Sequence, residues 1–387
     1  MERKKSVKGV VLFALVGAAF FACAGPEQKE TQPQFSPSEP PLIGEWEQNM
    51  VRWGRHWGDF LTRSDISPQQ RLNAVYYDGS RVFYQIADYT GEKEPWTTYA
   101  QNAASVYIEQ YAKPNGFKTS GYWRFPHGIY RTWKREPNPE HKKALLAIRD
   151  KPAFSDIDTR DHRKWHRARY SREIAYAIGA HITAAEAGLK GRDHALSQYV
   201  DAALGHLEIW RTGDFINPEA KRHLRKPFMF GLTGEALIAY QEHQRKHEDE
   251  DLRILPALQA TADWFWKNMW VENAGGGYGA FNYIDRNIDG VGKARPAPDL
   301  NLLIAPVYAW LYKETGEPAY RRRADAIFAG GVALACLKCS AKIFNQNYRS
   351  SFDYLRWRLM GDRLHGRDAR GADPDRRAGP ENTPQKP

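Results

Sequence analysis

The sequence predicts an all-α protein built from helical hairpins. Long stretches repeat apolar residues at the spacing of a helix, and almost no stretch shows the period-two alternation of a half-buried strand. Short turns containing Gly91, Gly188 and Gly316 each separate two such stretches, and glycine suits the left-handed residue that closes a helix. With 387 residues, 42% of them hydrophobic, the chain is long enough to bury a sizeable core.

The predicted helices follow one another along the chain. They are 44–62, 71–89, 96–112, an irregular segment 121–149 interrupted by two prolines, 169–187, 193–211, 228–246, 253–271, 299–315, 317–335 and 345–361. Helices within a pair are joined by short turns, whereas long connections join one pair to the next. These long connections are 113–120, 135–168, 212–227, 272–298 and 336–344.

The two helices of a pair differ in polarity. Leu300–Trp310 is apolar nearly all round, whereas Ala319–Asp325 carries charges on one face. A helix that is apolar on all sides is buried, and an amphipathic helix lies outside it. We therefore expect the first helices of the pairs to form an inner ring and the second helices an outer ring, with the long connections at one rim.

This arrangement over residues 44–361 resembles the (α/α)6 toroids of six-hairpin carbohydrate-active enzymes. Four hairpins are clear, 345–361 and 44–62 form a fifth pair that closes the ring, and 121–149 supplies the sixth. The resemblance implies a polysaccharide or oligosaccharide substrate in a groove at the long-loop rim. It is one of architecture alone, and fold by itself is an associational argument for function.

The N-terminus has the features of a targeting segment. Arg3-Lys4-Lys5 precedes an apolar run, Gly9–Ala22, which is shorter than the about 20 residues of a spanning helix. Phe20–Cys23 resembles the lipobox of bacterial lipoproteins, which predicts a lipid anchor on Cys23; plain secretion is the alternative. We predict a signal peptide at 1–23, a flexible tether at 24–43, the toroid at 44–361 and a disordered tail at 362–387, in a bacterial envelope, periplasmic or secreted protein.

The net charge of +10 does not predict a nucleic-acid partner. The signal segment contributes +3 and the tail +1, which leaves +6 in the body, and no helix shows a sustained basic face. A mildly basic body favours acidic polymers by electrostatic steering. The 13 Trp and 20 Tyr suit stacking on sugar rings, although packing also explains them. The expected partners are a glycan and, through the anchor, a membrane.

Four acids in the inner helices are the candidate catalytic residues for glycoside hydrolysis, which needs two carboxylates. Three have a structural alternative: a salt bridge between Asp78 and Arg81, a capping role of Glu173, and a buried ion pair of Glu235, which follows Gly231 and Gly234. The dense polar residues that precede Asp353 at the start of its helix are hard to explain as core, and they favour a functional role for it. The predicted catalytic residues are Asp78, Glu173, Glu235 and Asp353.

Two other functions compete with hydrolysis. A polysaccharide lyase would cleave a uronate polymer by β-elimination, with a Tyr or His base and a cation or amide that neutralises the substrate carboxylate. A non-catalytic glycan-binding lipoprotein would need an aromatic groove alone. The predicted substrate-binding residues are Tyr84, Tyr170, Arg172, Tyr278, Asn347 and Arg349; His127 and His181 are further candidates for the base, with His181 read first as a core residue.

The sequence offers little metal chemistry. Cys336 and Cys339 form an isolated CxxC with no further ligands at zinc spacing, so we read them as helix residues one turn apart. Asp285-x-Asn287-x-Asp289 matches the first half of a calcium loop, but Pro296 replaces the bidentate glutamate. We expect no metal and no cofactor, with calcium at this loop as the alternative.

Overall fold

The computed structural model describes residues 39–150, 167–189, 191, 193–213, 224–287 and 292–365. Within these residues the chain is mostly helical, as the sequence predicts, with one antiparallel hairpin of strands β1 (Trp270–Gly275) and β2 (Tyr278–Phe281). The α-helices are α1 (Ile43–Thr62), α2 (Pro68–Ala74), α3 (Gly79–Thr90), α4 (Trp96–Tyr107), α5 (Pro126–Arg135), α6 (Pro139–Asp150), α7 (Ser171–Glu186), α8 (Asp193–Thr212), α9 (Pro227–Arg245), α10 (Ile254–Met269), α11 (Ala305–Thr315), α12 (Pro318–Leu334) and α13 (Ala341–His365).

The odd-numbered helices from α3 to α13, the central helices, contact one another in order. α3 packs on α5, and the contacts continue through α7, α9 and α11 to α13, which also contacts α3. Flanking helices pack on every central helix: α4, α6, α8, α10 and α12 each contact the central helices before and after them in the chain, and α1 packs on α13. The central α7 and α11 are buried nearly all round, whereas the flanking α8 and α10 each expose one face, so the predicted contrast in polarity is confirmed.

Glycines end the central helices where the sequence predicts. Gly91 and Gly316 directly follow α3 and α11 with φ of 73° and 70°, and Gly188 follows α7 with φ of 74°. This left-handed backbone conformation favours glycine because glycine has no Cβ to clash with the backbone. The predicted close approach around Glu235 is also confirmed, because a Cβ on Gly231 would lie 2.5 Å from the Leu303 carbonyl oxygen.

The predicted helix 71–89 is wrong, because the chain breaks between α2 and α3. Tyr77 and Asp78 both adopt left-handed backbone conformations, with φ of 66° and 64°. The Asn345 side chain of α13 donates hydrogen bonds to the Ala74 and Tyr76 carbonyl oxygens, at 2.8 and 2.9 Å. It thereby satisfies carbonyls that the helix would otherwise have paired, and the break carries Asp78 to the start of α3.

Several long connections contain structure that the sequence did not predict. The β1–β2 hairpin begins at Trp270, extends into 272–298 and turns at Gly276-Gly277, both with positive φ. The irregular segment 121–149 forms two helices, because prolines occupy the first turns of α5 and α6. The reading of Cys336 and Cys339 as helix residues is wrong: they lie between α12 and α13 and form a disulfide.

The two ends of the described chain pack together. Trp46 of α1 donates its indole N–H to Ser351 of α13 at 3.1 Å, and Tyr348 donates to the Trp46 carbonyl at 2.7 Å. α13 continues to His365, four residues beyond the predicted boundary. The predictions for the signal segment with Cys23, and for the tail from 366 onward, lie outside the described residues. No helix in the described ranges has the length and hydropathy to cross a membrane.

Candidate functional site

The break before α3 places Asp78 at a cavity of about 210 Å³ between the central helices. The cavity is smaller than the ~300–1,000 Å³ of most small-molecule sites, so it suits one small unit of a ligand. α3, α5, α7, α9 and α13 all contribute to its walls. Its polar lining includes Asp78, Arg81, Arg124, His127, Tyr176, Glu235, Arg349 and Asp353.

The cavity reaches solvent on the side of the short turns. Its lining continues to the C-terminal ends of α7 and α9, where Glu186 and Lys246 are exposed, and Arg356 of α13 is exposed beside them. The resemblance implied a groove at the opposite rim, at the N-terminal ends of the central helices. The cavity therefore opens away from that rim.

Glu235 lies at the centre of a buried ion network. Arg81 Nη1 approaches Glu235 Oε1 at 2.6 Å, and Arg349 Nη2 contacts both carboxylate oxygens at 3.0 and 3.1 Å. Ser350 Oγ donates a further hydrogen bond at 3.1 Å. Burial alone would raise the pKa of Glu235, but Arg349 and Arg81 outweigh it and hold that pKa far below the usual value. The carboxylate therefore stays ionised and holds two guanidinium groups in place.

Asp78 has the opposite environment. Its carboxylate accepts hydrogen bonds from the backbone N–H groups of Arg81 at 3.3 Å and Gly128 at 3.1 Å. Burial raises the pKa of Asp78, although the Arg81 charge and both hydrogen bonds act against that rise. The expected salt bridge with Arg81 does not form, since the Arg81 guanidinium binds Glu235 and Asp353.

Asp353 is the most accessible of the three predicted catalytic acids that line the cavity. Its side chain is 25% exposed and accepts from Arg81 Nη2 at 3.3 Å. Arg356, one turn later in α13, contacts its other oxygen at 3.2 Å. Asp353 and Asp78 thus share Arg81 as a neighbour. Of these two acids, Asp353 is the one that is open to solvent.

A tyrosine and a histidine line the same cavity. Tyr176 Oη lies 3.2 Å from Arg349 Nη1, and burial raises the pKa of Tyr176 while the charges of Arg349 and Arg172 lower it. His127 is bonded through Nδ1 to Thr183 Oγ1 at 3.2 Å, and burial lowers its pKa well below the ordinary value. His127 is therefore neutral at neutral pH and can act as a proton acceptor.

Glu173 lies apart from this cavity. Its Oε1 accepts from Arg172 Nη2 at 2.8 Å, rather than capping α7. The other oxygen is buried and has no hydrogen-bond partner among the described residues. The guanidinium of Arg172 lies 5.2 Å from the centre of the Tyr122 ring. Arg172 and Glu173 thus form a pair in the first turn of α7.

The remaining sequence candidates do not line the cavity. Asn347 donates to the carbonyl oxygens of Asp299 and Ile343, which ties the start of α13 to its surroundings. Three tyrosines lie elsewhere: Tyr84 is buried beneath Arg135 of α5, Tyr170 precedes α7, and Tyr278 begins β2. The structure does not bring these four residues to one site.

The calcium alternative gains no support from the contacts of the loop. Asp285 contacts Arg225 at 3.2 Å and Arg286 at 3.3 Å. Asp289 lies outside the described residues. Within the part of the chain that the structure describes, no three His, Cys, Asp or Glu side chains form a group suited to a metal ion.

Arg81 and Tyr176 line the cavity, and neither is among the predicted functional residues. Arg81 follows Asp78 by three residues, so its spacing favoured a local salt bridge and gave no signal for its place at the cavity. Tyr176 follows Glu173 by three residues and so shares its helix face.

Comparison with protein-family models, with curated proteins and with solved structures found no match for this chain.

Proposed function

We propose that the chain is a carbohydrate-active enzyme that cleaves glycosidic bonds on an (α/α)6 toroid. The cyclic contact order of the central helices supports the toroid, since α13 returns to α3 and flanking helices pack on every central helix. The N-terminal segment suits delivery to the bacterial envelope, with Cys23 as the proposed lipid anchor.

The observation that carries the function is the meeting of Asp78 and Asp353 at one cavity. The break that delivers Asp78 contains two successive non-glycine residues in left-handed conformations, and such strain clusters at functional sites. Of the four predicted acids, Asp78, Glu235 and Asp353 line this cavity.

In hydrolysis, Asp78 acts as the general acid, because its raised pKa favours the protonated form that the leaving oxygen needs. Asp353 acts as the second carboxylate of hydrolysis, the general base or nucleophile, because it is exposed to the cavity and to water. Glu235 is a positioning residue: Arg81, Arg349 and Ser350 occupy its oxygens. Glu173 takes no part in this scheme.

Elimination is the second candidate, supported by the Tyr176–Arg349 contact. Tyr176 would remove the proton next to a uronate carboxylate and pass it to the glycosidic oxygen as the C–O bond breaks, and Arg349 would stabilise the charge that develops. His127, neutral and at the same cavity, is the alternative base. Elimination needs no carboxylate base, so substitution of the aspartates separates the two chemistries.

The test compares Asp78→Asn and Asp353→Asn with Asp88→Asn, an aspartate half-exposed between Arg131 and Arg135 away from the cavity. Wild type is assayed on a panel of polysaccharides for new reducing ends and for the ultraviolet absorbance of unsaturated uronates. For hydrolysis we expect a loss of about 10²–10⁴ in kcat for each cavity variant and none for Asp88→Asn, with thermal unfolding as a check on folding.

Full activity in both cavity variants would contradict the hydrolase. Unsaturated products, lost in Tyr176→Phe, would establish the lyase instead. Binding of a glycan without release of any product would favour the third reading, a non-catalytic glycan-binding protein. No binding and no cleavage across the panel would overturn the carbohydrate function altogether.

A further inference from the structure

Three cations gather where the central helices begin. Arg172 is the second residue of α7, Lys226 is the N-cap of α9, and Lys342 is the second residue of α13. A helix N-terminus carries partial positive charge, so a cation there is unfavourable, whereas an anion is stabilised. Three cations in this position raise the positive potential instead of balancing it.

Each cation lies over the face of a different tyrosine. The Arg172 guanidinium lies 5.2 Å from the Tyr122 ring centre, the Lys226 ammonium 5.8 Å from Tyr283, and the Lys342 ammonium 5.3 Å from Tyr76. Cation–π contacts fix the positions of otherwise flexible side chains without neutralising their charge. We call these six residues the cationic tyrosine cluster.

The cations of the cluster influence one another. Desolvation and then the charge of Arg172 lower the pKa of Lys226, while Glu173 acts against that shift. The same two causes lower the pKa of Lys342. Among the residues that the structure describes, neither lysine has a carboxylate within ion-pair distance, whereas Arg172 pairs with Glu173. The three cations and one acid leave a net charge of +2.

The cluster lies close to the residues of the cavity. Arg172 is near enough to Tyr176 for its charge to lower the pKa of that tyrosine, and Tyr176 lines the cavity. Tyr76 immediately precedes the strained pair Tyr77-Asp78 and contacts Tyr77 edge to face, with ring centres 4.7 Å apart. The cluster therefore lies near these cavity residues, at the rim opposite the opening of the cavity.

We propose that the cationic tyrosine cluster binds the anionic group of an acidic polysaccharide, a uronate carboxylate or a sulfate ester. The inference rests on the proposed carbohydrate function and names its substrate class. The ammonium groups supply charge, the accessible part of the half-buried tyrosine rings supplies stacking for the sugar ring, and the helix N-termini add to the attraction. A neutral polysaccharide would leave the lysines without a counter-charge.

The test measures binding of wild type and Lys226→Gln/Lys342→Gln to polygalacturonate, dextran sulfate and neutral dextran by titration calorimetry. We expect wild type to bind an acidic polymer in preference to dextran, with affinity that falls as salt rises. The double variant should lose on the order of tenfold in affinity for each lysine removed. Lys93→Gln/Lys134→Gln, at two exposed lysines, is the matched control and should bind as wild type does.

Preference for polygalacturonate identifies a carboxylate ligand, and preference for dextran sulfate identifies a sulfate ester. Equal binding of dextran, no binding of either acidic polymer, or unchanged affinity in the cluster variant would overturn the inference. The proposed function fails separately: an acidic polymer that is bound through the lysines but never cleaved supports the cluster and contradicts the enzyme. Cleavage of neutral glycans alone would support the enzyme and contradict the proposed role of the cluster.

Discussion

At the scale of single residues, His181 provides a test of how burial sets protonation. Its Nδ1 lies 2.9 Å from the Ala177 carbonyl, and burial lowers its pKa from 6.5 to about 4. Between these values the unfolded chain binds a proton that the folded chain does not, so the unfolding free energy falls as pH decreases from about 6.5 to about 4. The loss attributable to His181 is up to about 3 kcal/mol.

The measurement is urea unfolding at pH 7 and pH 5. His181→Leu should show a smaller loss of stability between these pH values than wild type, because Leu does not titrate. His194→Leu replaces an exposed histidine at the start of α8 and should keep the wild-type difference. If the unfolding free energy depended equally on pH in all three proteins, the loss of stability would not come from His181.

Sequence predicts the residues of the site better than their partners. Acids on buried helices were expected to be paired or functional, and Glu235 is paired. Its partners come from α3 and α13, 154 and 114 residues away in the chain. The three-residue spacing of Asp78 and Arg81 suggested a salt bridge between them, but in the folded chain the Arg81 guanidinium binds Glu235 and Asp353 instead. Ion pairs between distant helices follow from the packed fold and not from neighbours in sequence.

At the scale of helices, the α9–α11 contact depends on a residue without a side chain. A Cβ on Gly234 would lie 2.6 Å from Val307 Cγ2, too close without movement of α11. Gly234→Ala should therefore lower the unfolding free energy by about 1–3 kcal/mol. Gly205 lies within α8 with no atom within 4 Å of the added Cβ, so Gly205→Ala should raise it by about 0.5–1 kcal/mol.

Thermal unfolding of the two glycine variants measures both effects. Opposite shifts in Tm are the expected result, because both variants gain the same helix propensity and only Gly234→Ala meets a neighbour. A rise in Tm for both would mean that α9 and α11 move apart at no cost, contrary to the close packing.

Helix periodicity and glycine turns were sufficient to predict most elements, since both act within a few residues. The break at Val75–Asp78 was not predictable in this way, because Asn345 stabilises it from 271 and 269 residues away. Nor did the sequence indicate the β1–β2 hairpin, which is short and carries two consecutive glycines in its turn. Where a distant side chain replaces a helix hydrogen bond, local propensity gives the wrong element.

At the scale of the whole molecule, Arg358 connects both ends of the described chain. It is fully buried in α13 and binds Asp325 of α12 at 3.2 Å. It also contacts Asp362 and donates to the Glu39 carbonyl at 3.3 Å. Since α13 closes the cycle of central helices and Arg358 ties it to α12 and to the segment before α1, loss of this residue should weaken the entire fold and not one helix.

Arg358→Met should lower the unfolding free energy by about 3–5 kcal/mol, because it leaves the Asp325 carboxylate buried without its main partner. Far-ultraviolet and near-ultraviolet circular dichroism should shift together, as expected for one cooperative transition. Arg322→Met, at an exposed arginine on the same α12, should change stability little. Adding Asp325→Asn to Arg358→Met should recover part of the loss, because the unpaired charge is then gone. A transition that splits in two would show that the ends do not hold the helices as one cooperative unit.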